Sequence, residues 1–109
     1  MGSDIATLGI NNNYSLSFLL ANVGAEVERM LNWLQKRDEE QVGRSLARAL
    51  DLLDRALALN ISPGARRELF RLREVICGQV YNPTLYNVAP ETLSKYFLPF
   101  ALFSRSYKQ

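Results

Sequence analysis

Apolar residues recur along this chain at intervals of three and four. From Ser15, a residue type suited to cap a helix, Leu16, Leu20, Val23, Val27, Met30, Leu31 and Leu34 keep the 3.6-residue period of an amphipathic helix and predict one over 15–36. Residues 1–13 carry no such period and end in Asn11-Asn12-Asn13, so a flexible arm is expected ahead of one helical domain at 14–109. Asp38 followed by Gln41 has the form of a capping box, with Glu39 and Glu40 at the positive end of the helix dipole, and opens a second helix over about 38–59. Its core stripe is Val42, Leu46, Ala49, Leu50, Leu53, Ala56 and Leu57, with Arg44, Arg48, Asp51 and Arg55 opposite.

Asn60-Ile61-Ser62-Pro63 ends one helix and starts the next. Asn suits the left-handed position after a helix, Ser suits a cap, and Pro suits a first turn. The third helix, 63–81, carries Ala65, Leu69, Leu72, Ile76 and Val80 on one face and stops at Asn82-Pro83, since proline pushes the residue before it out of helical geometry. After the longest connection, Thr84 to Ala89, a fourth helix over 90–106 presents Leu93, Tyr96, Phe97, Phe100, Phe103 and Tyr107. Pro99 lies inside it, lacking a donor and crowding the preceding turn, so a kink or a split is expected there. Four helices with mostly short links predict an all-α fold: an antiparallel four-helix bundle with a kinked C-terminal helix.

Composition changes this picture little. With 109 residues, 48% hydrophobic and 22% charged, the chain is one domain able to build its own core. The single cysteine, Cys77, rules out an internal disulfide and fits a reducing cytoplasm. No apolar run approaches a membrane span and no basic-then-apolar leader opens the chain. Ala6 departs from the myristoylation motif that Met1-Gly2 suggests, and the Asn60-Ile61-Ser62 sequon is explained by its turn.

The chemistry is defined by what is missing. Without histidine there is no Ser-His-Asp or Cys-His machinery and no Arg-x-x-x-x-x-His motif of the helical-bundle ribonucleases. A lone Cys77, on a flank with Phe70 and Tyr81, reads as a packing residue, and no zinc ligand set exists. No cofactor and no catalytic residue is assigned; Glu26, Asp51 and Asp54 read as helix charges or ion-pair partners, so catalysis is not expected. Arg44, Arg48, Arg67 and Arg71 are the candidates for a nucleic-acid surface, but Asp51, Glu68 and Glu74 dilute them and the net charge is only +2. Arg66 and Arg73 flank the apolar stripe of the third helix and are expected half-buried, with Arg73 pairing to Glu26 across the bundle as a structural ion pair.

The fourth helix is apolar on two faces. Opposite its aromatic stripe stand Leu98 and Leu102, one turn apart beside Glu91 and Lys95, and Trp33 and Phe18 lie off the main stripe of the first helix. Such residues belong either to a partner surface or beneath the 84–89 connection. The expected function is association, with a protein partner or with a second copy as a homodimer, through Leu98, Leu102 and Trp33. The alternative is RNA or DNA binding through the four arginines, and the third reading is an enzyme whose carboxylate site the sequence does not single out.

Three segments carry a resemblance: Asn22-Val23-Gly24-Ala25-Glu26-Val27-Glu28-Arg29, the run from Arg67 to Cys77, and Tyr96-Phe97-Leu98-Pro99-Phe100. They resemble a group of short uncharacterised bacterial helical proteins, which implies a bacterial origin and a shared helical fold and brings no site with it. The first two helices, with the Lys36-Arg37-Asp38 turn between them, also look like the flagellar export chaperones, which implies a role in holding a partner's segment.

Overall fold

A computed structural model describes residues 10–83 and 88–108, with side chains over 15–83 and 88–102. The expected arm at 1–9, most of the 84–89 connection, and the Phe103 and Tyr107 side chains lie outside what is described. The described residues form four helices and no strand: α1 (Ile10–Gln35), α2 (Glu39–Leu57), α3 (Pro63–Tyr81) and α4 (Pro90–Lys108). α1 packs against both α2 and α4, and α2 also packs against α3, an arrangement compatible with a bundle.

The periodic residues meet in one core. Leu16, Leu20, Val23, Val27 and Met30 of α1 are fully buried among Leu46, Ala49 and Leu53 of α2, Leu69, Leu72 and Ile76 of α3, and Leu93 and Phe97 of α4. Leu31, Leu34, Leu50, Leu57, Val80, Tyr96 and Phe100 pack at its edge, as does Cys77. Each large aliphatic side chain that passes from exposed to buried contributes about 1.5–3 kcal/mol, so this stripe outweighs every polar contact described below.

The helix ends differ from expectation in instructive ways. α1 starts at Ile10, so Asn11, Asn12 and Asn13 lie within the helix rather than in an arm, and Ser15 is an exposed interior residue rather than a cap. Asparagine disfavours a helix interior by well under 1 kcal/mol per residue, too little to hold the boundary at 15. At the other end, Arg37 takes the left-handed conformation, with φ 59°. The Arg37 amide donates to Leu34 O (3.2 Å) and the Asp38 amide to Trp33 O (3.1 Å), the paired bonds of a Schellman motif. Asp38 is also the cap of α2, accepting from the Gln41 amide at 3.1 Å. The reciprocal half of the capping box is not made, because the Asp38 amide is already committed to α1.

α2 ends at Leu57 without the left-handed Asn60 that the turn suggested, since Arg37 holds the only positive φ among the described non-glycine residues. The Arg66 guanidinium takes over, donating to the carbonyls of Leu57 (2.6 Å) and Leu59 (3.3 Å). A cation at a helix C-terminus satisfies open acceptors and meets the negative end of the dipole together. Ser62 caps α3 as expected, accepting from the Ala65 amide at 3.0 Å. α4 runs unbroken through Pro99 and so is not split.

Candidate functional site

α1 and α4 approach closely at one point. A Cβ built on Gly24 would stand 2.7 Å from Phe97 Cβ and 2.8 Å from its Cγ, so only glycine lets the Phe97 ring close on the α1 backbone. Beside this contact the two helices leave a groove of about 460 Å³, lined on α1 by Ala21, Gly24 and Ala25 and on α4 by Phe97, Leu98 and Ala101. Glu28 from α1 and Lys95 from α4, both exposed, stand at its rim, and Ser94 completes the lining. Neither rim charge forms an ion pair among the described residues.

Leu98 borders this groove and is 55% exposed, and Leu102, one turn further on α4, is 52% exposed. Of the three residues expected at a partner surface, the structure brings these two together beside the groove. Trp33 is elsewhere. It packs half-buried at the edge of the core, does not line the groove, and carries the Lys36 ammonium 5.1 Å from its ring centre. Ala21, Gly24 and Ala25, which complete the surface, were missed because alanine and glycine carry no periodic signal of their own.

The expected Glu26–Arg73 pair is not the one the fold makes. Glu26, its side chain only 14% exposed, accepts from Arg48 Nε at 3.0 Å and lies 3.3 Å from Arg29, whereas Arg73 pairs with Asp54 at 3.1 Å. The reason is adjacency: α1 meets α2 over much of its length, and α2 is what α3 packs against, so each acid finds the arginine of its neighbouring helix. Arg48 also donates to Ser45 Oγ at 3.4 Å, the one polar residue fully buried among those described.

This geometry redistributes the four arginines proposed for nucleic acid. Arg44 is held by Glu40 at 2.6 Å and Arg48 by Glu26, while Arg55 pairs with Asp51 at 3.1 Å. Arg67 and Arg71 are exposed on α3 near Phe70, itself half exposed. Arg48 lines a cleft with Glu26 and Asp51 in which neither Arg67 nor Arg71 takes part.

On the inner side of α4, the Tyr96 hydroxyl donates to Glu68 Oε2 at 2.8 Å. Burial, followed by the hydrogen bond and the negative charge of Glu68, pushes the phenol well above the ordinary tyrosine range. The Tyr96 ring meets Phe97 edge-on at 5.2 Å between centroids, so the hydroxyl anchors an aromatic cluster rather than a reacting group. Among the described residues no group of three or more histidine, cysteine or acidic side chains is placed to hold a metal ion, and no helix is long and apolar enough to cross a membrane.

Comparison with protein-family models, with curated proteins and with solved structures gave no match.

Proposed function

We propose that this chain is a helical association module whose contact face is the α1–α4 groove with Leu98 and Leu102 beside it. One observation carries the reading: two leucines one helical turn apart remain more than half exposed next to a concave apolar groove. Leaving two leucines half exposed forgoes about 1.5–3 kcal/mol of burial in total, and an apolar face of this kind is typical of a binding surface. The reading includes an antiparallel bundle, supported by Glu26 and Arg48 lying equally far in sequence from Arg37 and by Gln79 of α3 donating to Val88 O just ahead of α4. It also includes a bend at Pro99, a bacterial origin by the resemblance of the three segments, and a place in the cytoplasm, which suits a free thiol.

A photo-crosslinking residue in place of Leu98 or Leu102, expressed in cells, tests it. Protein adducts are expected from both positions and not from Arg44 of α2, which pairs with Glu40 and does not line the groove. Absence of adducts at both leucine positions would refute the reading. Nucleic-acid binding draws less support, because two of its four arginines are engaged by carboxylates; retention on heparin that falls steeply with salt would revive it.

A further inference from the structure

We infer that the occupant of the groove is a second copy of this chain, docked about a two-fold axis running along the groove; the inference rests on the association reading and names its partner. In a two-fold pair each patch must complement itself. This face carries both halves of such a fit. Its hole is formed by small residues, Ala21, Gly24 and Ala25 on α1 with Ala101 on α4. Its knobs, Leu98 and Leu102, stand on α4. Its rim holds one charge of each sign, Glu28 from α1 and Lys95 from α4, neither committed to an ion pair among the described residues.

Rotation about an axis along the groove lays α4 of one copy over α1 of the other without changing height along the helices. Leu98 then descends on Ala21 and Ala25 of the partner subunit, and Lys95 reaches Glu28 of the partner subunit. Symmetry makes each contact twice. What an unrelated partner would have to bring, a branched apolar knob flanked by a charge opposite to the rim it meets, is already present one helix away from the hole. Rim charges of a single sign would have opposed this docking; the pair found here steers it and fixes its register.

Analytical ultracentrifugation of the full chain, up to about 1 mM, reads the outcome. The wild type is expected to dimerise reversibly. Glu28→Lys and Lys95→Glu should each weaken the dimer by about tenfold or more through two like-charge contacts, and an equimolar mixture of the two variants should recover it, because each new lysine then faces a new glutamate. Both positions are exposed, so circular dichroism should report unchanged helix content. Glu28→Gln and Lys95→Gln, which remove charge without reversing it, provide the same reading with a smaller loss, about threefold. A wild type that stays monomeric throughout overturns the inference, as does a dimer indifferent to all four substitutions. If the monomeric chain still yields adducts from position 98, only this inference falls; if it yields none, the association reading falls with it.

Discussion

Two glycines in neighbouring helices show how much a single methyl group decides. At Gly24 an added Cβ would overlap Phe97 at 2.7 Å, and the obstructing atom is the Phe97 Cβ, which cannot swing away without moving α4. Gly24→Ala is therefore expected to destabilise the fold by about 1–3 kcal/mol despite the better helix propensity of alanine. At Gly43, inside α2, nothing lies within 4 Å of the same added atom, so Gly43→Ala should stabilise by about 0.5–1 kcal/mol. Urea denaturation of the two variants, read as opposite shifts in midpoint at unchanged slope, checks both. Tyr96 gives a second test. Its folded pKa lies above the unfolded value of about 10, so the stability it contributes is complete below pH 10 and is lost as pH climbs from there toward the folded value. Tyrosinate absorbance should show Tyr96 withheld from ionisation until the chain unfolds, and Tyr96→Phe should flatten the alkaline fall in thermal midpoint. Neither residue was legible as special in the sequence. Glycine 24 reads as an ordinary helix interior, and the acceptor for Tyr96 is Glu68, a long-range partner that no local spacing could name.

At the scale of elements, the helix ends separate what local chemistry dictates from what packing decides. Ser62 and Asp38 cap α3 and α2 as their positions ahead of apolar runs predict, because a cap is made within four residues. The start of α1 and the end of α2 depart from the local pattern, because the first depends on weak propensities and the second on Arg66 reaching back across a turn. Misassignment of Glu26 has the same origin: a helical wheel gives the side a residue faces, but not which helix lies there. Arg37 offers the cleanest test of an element boundary. A non-glycine residue in left-handed geometry is strained by about 1–2 kcal/mol, and glycine's greater freedom when unfolded offsets part of that, so Arg37→Gly should raise stability by roughly 0.5–1 kcal/mol. The thermal midpoint should rise by a few degrees, and a fall would refute the assignment of the motif.

For the molecule as a whole, the packing of α1 on α2 is the most extensive between two helices, and the core residues of all four helices converge on it. Native-state hydrogen exchange should therefore find the amides of Val23 to Met30 and Leu46 to Leu53 exchanging only through global unfolding, with those around Leu98 opening at lower cost. If the chain pairs with itself, protection around Leu98 and of the core amides that exchange through global unfolding should rise with protein concentration, and protection that stays the same at every concentration would contradict that. The four-helix character was legible because burial follows a period that the residues repeat many times over; the proposed contact face was only half legible, because its leucines are large and its groove is lined by residues defined by their smallness. The three-residue link between α1 and α2 has a consequence of another kind. Since Asp38 closes one helix with its amide and opens the next with its carboxylate, the link cannot lengthen without separating those two duties. In chains descended from a common ancestor with this one, insertions and deletions should accumulate between Asn82 and Ala89 and be excluded from 36–38, so a fixed spacing between Trp33 and Gln41 is a better mark of kinship than any residue identity between them.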